Sequence, residues 1–92
     1  MTAPLISNLE IMNVKGLHAR ASAKFVEVVE AHDAEAVVRK DGLSAAGDSI
    51  MGLLMLAASI GTTINVETRG PQASSLSSAL AELVADKFGE GM

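Results

Sequence analysis

The order of hydrophobic patterns along the chain, βαββαβα, predicts an α+β fold: an open-faced sandwich of split-βαβ type, with a four-stranded antiparallel sheet and three helices on one face. Three observations carry this. Apolar residues alternate singly in four short stretches, as half-buried strands require. In three other stretches they recur at three- and four-residue spacing, as one-sided helices require. Glycines and an Asp-Gly pair fall at the joints between these stretches.

Residues 5–12 form the first strand, with Leu5, Leu9 and Ile11 on one face and Asn8 and Glu10 on the other. A loop follows and bends at Gly16. From Ala19 the spacing changes, and Ser22, Phe25, Val26 and Val29 mark the buried stripe of a helix ending near Ala31. Alternation returns over residues 34–40, where Ala36 and Val38 oppose Glu35, Val37 and Arg39. Asp41-Gly42 then signals a tight hairpin into a third strand over residues 43–45. Gly47, Asp48 and Ser49 precede a second helix over the apolar run 50–58, with Asp48 or Ser49 as its cap and Gly61 as its stop. Residues 62–68 alternate Ile64 and Val66 with Asn65 and Glu67 in a fourth strand. Gly70-Pro71 opens the last helix, whose stripe is Leu76, Leu80, Leu83, Val84 and Phe88, with the serine pairs 74–75 and 77–78 on its solvated face.

With 92 residues, 49% of them hydrophobic, the chain suits one domain over residues 1–92. A chain of this mass exposes roughly 5,000 Å² when folded against about 14,000 Å² unfolded, enough for a modest core. No cysteine is present, so disulfides, thiol nucleophiles and cysteine-based zinc sites are excluded, and a reducing compartment fits best. The N-terminal residues lack a signal-peptide pattern and no apolar run is long enough to span a bilayer, so the expectation is a cytoplasmic protein without membrane insertion. A net charge of −4 with only two aromatic residues argues against nucleic acid as a partner, and with it against an RNA-binding split-βαβ domain.

His18 falls at the expected start of the first helix. The amides of Ala19, Arg20 and Ala21 have no partner within the helix there, and with the helix dipole they suit a phosphate. Arg20 adds a planar two-pronged donor, and Lys15 and Lys24 enlarge a basic island, since residues 11–26 contain no acid. Positive potential opposes protonation of the imidazole and so favours its nucleophilic form, while stabilising a phosphoryl product. The plain alternative is a solvated residue at a helix start, and spacing does not separate the two. His32 supports the helix C-terminus instead. The two histidines sit at opposite ends of one helix with no carboxylate cluster around either, so neither a metal nor another cofactor is expected.

Ser49 also has two readings. It caps the second helix, or it is a phosphorylation switch that places about two negative charges beside a methionine-rich patch. The second helix carries more apolar side chains than one buried stripe holds, so part of the set Ile50, Met51, Leu54 and Met55 is expected on the surface.

Residues 16–26 read GLHARASAKFV and residues 48–57 read DSIMGLLMLA. In this order and over nearly the whole chain, these segments resemble HPr, the histidine-containing phosphocarrier of the bacterial phosphotransferase system. The resemblance implies a phosphoryl carrier rather than an enzyme acting on a small substrate. It implies that enzyme I, charged by phosphoenolpyruvate, passes a phosphoryl group to Nδ1 of His18, which hands it to an enzyme IIA domain. Arg20 matches the family's phosphate-orienting arginine, and Ser49 matches the serine that a dedicated HPr kinase modifies in some bacteria. An exposed apolar patch beside His18 gives docking and chemistry one footprint, so the expected partner surface comprises Ala19, Arg20, Lys24, Ile50, Met51 and Leu54 on a monomer. Residues 49–72 also look like the nitrogen-related regulatory relative of HPr, so regulation stands beside sugar uptake. The chain departs from the family pattern at two places. Ala21 stands where many members have proline, and Glu27 and Glu30 stand where many sugar-system members have lysine. The competing reading is a non-catalytic regulator that docks through its second helix.

Overall fold

The computed structural model describes residues 3–90. In chain order its elements are β1 (Leu5–Glu10), α1 (Ala19–Glu30), β2 (Glu35–Lys40), β3 (Leu43–Ala46), α2 (Ile50–Met55), β4 (Thr63–Arg69) and α3 (Ala73–Ala85), followed by a 3₁₀ turn at Lys87–Gly89. The strands form one antiparallel sheet in the order β1-β4-β2-β3. The alternation that defines each strand also sets its register: Leu9 lies opposite Ile64, and Val38 lies between Val66 and Ala45. These inward residues meet the buried stripe of α1 (Ala21, Phe25, Val26, Val29) and that of α3 (Leu76, Leu80, Val84) in one core. The three helices thus cover one face of the sheet, with α3 against β1 and β4, and α1 between α3 and α2. The hairpin has the expected chemistry, since Asp41 and Gly42 both adopt positive φ (50° and 81°), as a two-residue turn of matching twist requires.

The structure corrects several boundaries. β1 ends at Glu10 rather than residue 12, but the chain remains tied to the sheet edge. The Ile11 amide donates to the Thr62 carbonyl and its carbonyl accepts from Gly61, each at 2.8 Å. β2 begins one residue later than its pattern suggests, β3 runs one residue further, and β4 is shifted by one residue at both ends. α2 stops at Met55, and neither residues 56–58 nor Gly61 serve as its continuation and stop. Its last turn tightens through bonds from the Leu56 and Ala57 amides to carbonyls three residues back, and Ala57 takes the left-handed conformation (φ 52°). An alanine does here what glycine usually does, and buried Leu56 and Ala58 belong to a loop, which composition alone cannot distinguish from a helix. Pro71 lies ahead of α3, whose boundary residue is Gln72. Phe88 lies beyond α3 and reaches the core from the 3₁₀ turn. Ser77 turns inward to share a hydrogen bond with Ser7 of β1 (3.1 Å), leaving Ser74, Ser75 and Ser78 on the exposed face.

Candidate functional site

The loop between β1 and α1 is locked onto the loop after α2, and this lock positions His18. Gly16 adopts φ +65°, and a Cβ at this residue would lie 2.4 Å from the Ala58 carbonyl oxygen, so glycine is required for the close approach. The Leu17 amide donates to that same carbonyl at 2.9 Å. Buried Ser22 holds the next link twice, its hydroxyl donating to the Leu17 carbonyl (3.1 Å) and its amide to the His18 carbonyl (2.8 Å). His18 is therefore the residue at the helix boundary, in extended backbone, with its side chain released from any capping bond. Among the described residues, no backbone carbonyl accepts from the amides of Ala19, Arg20 or Ala21, and no acid occupies the first turn. The helix end with free amides expected from the sequence is present in this geometry, a form suited to an anion.

The stretch that lacks acids in sequence is not free of acid in space. No acid is nearby in sequence, but Glu90 arrives from the C-terminal segment, and its Oε2 meets Nε2 of His18 in a contact 72 residues apart. The other oxygen, Oε1, accepts from the Asn13 side-chain amide at 2.8 Å, and that amide also donates to the Gly16 carbonyl at 2.8 Å. The Glu90 carboxyl is held below the usual carboxylate range, mainly by the Asn13 bond. Partial burial opposes this, while the bond to His18 and the charges of His18 and Lys15 reinforce it. Nothing in the local sequence signals this pairing. Nδ1 of His18 makes no hydrogen bond among the described residues.

Lys15, Arg20 and Lys24 line a cavity of about 280 Å³ together with Val14, Gly89 and Glu90. The basic island read from the sequence is thus gathered around Glu90, the carboxylate that contacts the imidazole. His18 itself lines an open depression of about 300 Å³ together with Lys15, Leu17, Leu54 and residues 57–59. Ile50, Met51 and Met55 of α2 are exposed, at 40%, 68% and 73%. Exposed Ala19 and Arg20, half-buried Lys24 and half-buried Leu54 belong to the same end of the molecule. Of the two cap candidates ahead of α2, Ser49 is the cap: its hydroxyl accepts from the Gly52 amide at 3.0 Å, whereas Asp48 is exposed and does not cap. His32 lies at the far end of α1, where its Nδ1 bonds the Val28 carbonyl (2.7 Å), the supporting role its position suggests.

Residues 7–86 match the family described as the PTS HPr component phosphorylation site. The chain is 45% identical over 87 residues to the phosphocarrier protein HPr of Neisseria meningitidis, covering 95% of this chain and 98% of that one. It is 39% identical over 83 residues to the phosphocarrier protein NPr of Escherichia coli K12, covering 89% and 92%. Among solved structures, HPr-C-His from Thermoanaerobacter tengcongensis superposes with a TM-score of 0.91 at 33% identity, over 96% of this chain and 99% of that one.

Proposed function

The chain belongs to the HPr family of phosphocarrier proteins of the phosphotransferase system, and from that premise we propose that it takes a phosphoryl group from phospho-enzyme I onto His18 and passes it to an enzyme IIA domain in the cytoplasm. The observation that carries this reading is the open Nδ1 of His18 at a helix start whose first amides are unclaimed, beside Arg20. Each part has a chemical task. Nδ1 supplies the lone pair that attacks phosphorus, and the amides of Ala19, Arg20 and Ala21 accept charge on the phosphoryl oxygens. The Arg20 guanidinium grips two of those oxygens at once. The protein is recovered unchanged after donating the group, so it is a carrier and not an enzyme with a small-molecule substrate. Relatives named HPr and NPr both match, which suits either sugar uptake or nitrogen-related signalling downstream.

Incubation with phosphoenolpyruvate and enzyme I, followed by intact-mass analysis, tests the assignment. One acid-labile phosphoryl group is expected on the wild type and on His32→Ala, and none on His18→Ala. Phosphorylation of His18→Ala would move the acceptor elsewhere. Normal partner binding by a wild type that takes no phosphoryl group would favour a docking regulator, for which the exposed apolar residues of α2 are the supporting feature.

Ser49 is proposed as a second modification site where a cognate HPr kinase is present. Its hydroxyl already faces the first turn of α2, so a phosphate there keeps the helix capped while adding negative charge beside Ile50 and Met51. Slower acceptance from enzyme I at low salt after enzymatic phosphorylation is the expected result. Equal rates would leave Ser49 as a cap alone.

A further inference from the structure

Three successive residues near the C-terminus adopt left-handed backbone: Lys87 (φ 54°), Phe88 (φ 56°) and Gly89 (φ 75°). Only the third is a glycine, and residues with side chains hold this conformation when their surroundings impose it. Two contacts impose it here. The Phe88 ring is wholly buried in the core, and the Phe88 carbonyl accepts from Nζ of Lys24 at 2.7 Å. The consequence of the turn is the placement of Glu90, whose carboxylate reaches Nε2 of His18 with one oxygen and the Asn13 amide with the other. Asn13 is wholly buried and is fixed in turn on the Gly16 carbonyl, within the same loop that sets His18. Glu90 lies outside the residues 7–86 that match the family.

We propose that Glu90 is a positioning residue for His18: by accepting a hydrogen bond from Nε2–H, its carboxylate fixes the tautomer and ring orientation that leave the Nδ1 lone pair open to phosphorus. The inference rests on the phosphocarrier reading and adds to it the group that selects the reacting atom. An ionised carboxylate only accepts, so the ring nitrogen facing it carries the proton; in a neutral imidazole the other nitrogen then holds the lone pair. The Asn13 bond, and in smaller part the charge of Lys15, favour the ionised form of Glu90. In the transfer, an Nδ1–P bond forms as the donor's bond to phosphorus breaks, and that bond's electron pair stays with the donor. The ring becomes cationic without shedding a proton, which remains on Nε2 against the Glu90 carboxylate. When the group is passed on, the N–P electron pair returns to Nδ1 and the same tautomer is restored.

The test uses the full chain with ¹⁵N-labelled histidines and phospho-enzyme I as donor. In neutral imidazole the wild type is expected to show His18 as the Nε2–H tautomer and to take one phosphoryl group. Glu90→Ala is expected to admit the Nδ1–H tautomer and to slow phosphoryl acceptance about tenfold, the scale of losing one hydrogen bond to a charged group. Glu90→Gln keeps one oxygen, for which the Asn13 amide and Nε2–H compete, and should restore the tautomer and the rate only in part, with melting temperatures of both variants close to wild type. An unchanged tautomer ratio in Glu90→Ala overturns the inference, as does a rate equal to or above wild type, which would make the contact neutral or inhibitory. A wild type that takes no phosphoryl group overturns the phosphocarrier reading instead, so the two failures are separable.

Discussion

Arg20 is exposed and lines the cavity shared with Glu90 rather than supporting the core. Replacing it by lysine keeps the charge but loses the planar fork. Arg20→Lys is therefore expected to slow transfer by about ten- to a hundredfold while leaving thermal stability unchanged. Rapid-quench rates with enzyme I, in both directions, check this, and wild-type rates would remove Arg20 from the chemistry. A second pairing at this scale lies on the outer face of the sheet. There the largely buried Glu67 carboxylate accepts from Nη1 of Arg39 (2.9 Å) and from Nε of Arg69 (2.6 Å). Its carboxyl is held below the usual range, first by the Arg39 bond and then by the Arg69 bond, with burial opposing them. A depressed carboxyl stabilises the fold in full above its unfolded value of about 4.3, and that contribution fades as pH falls through the lower folded value. Glu67→Gln should thus melt below wild type at pH 7, with the gap closing toward pH 3. A gap independent of pH would show that the pairing contributes nothing through ionisation.

At the level of elements, α2 divides its apolar residues between two tasks. Leu53 is wholly buried, Ile50, Met51 and Met55 are left in solvent, and Leu54 lines the depression that holds His18. An apolar helix face next to a reactive side chain gives docking and chemistry one footprint, and methionine adapts to partners of different shape. Met51→Asp is expected to weaken enzyme I binding about tenfold or more in a titration. The variant should stay folded, because Met51 is 68% exposed and an acid suits the first turn of a helix. Unaltered affinity would place the docking surface elsewhere. Glu27 and Glu30, exposed on α1, add negative charge to the neighbouring helix and set the electrostatic character of any partner that reaches it.

For the molecule as a whole, the C-terminal segment is a structural member and not an appendage. Phe88 fills the core beside the helices, and the Lys24 bond to its carbonyl ties the segment to α1. Phe88→Ala is expected to destabilise the fold by about 3 to 5 kcal/mol, the range for deleting a buried aromatic ring, and to loosen Glu90 from His18. Urea unfolding measures the first effect. A loss under about 1 kcal/mol would show that the core closes without this segment.

The sequence by itself determined the element order, the one-sided sheet, the buried stripes of α1 and α3, the Asp41-Gly42 turn and the placing of His18 at a helix start. All of these are local, because alternation, helical spacing and turn chemistry act over a few neighbouring residues. The composition of residues 50–58 also showed that apolar surface would remain exposed, but not where α2 would stop. That boundary depends on Ala58 serving as acceptor for Leu17, a contact across 41 positions. The pairing of Glu90 with His18, the reach of Arg39 to Glu67, and the left-handed entry of Phe88 into the core were likewise decided only by tertiary structure. The physical reason is common to them: each joins groups far apart in the chain, and the burial that makes the contact favourable exists only once the sheet and helices have closed.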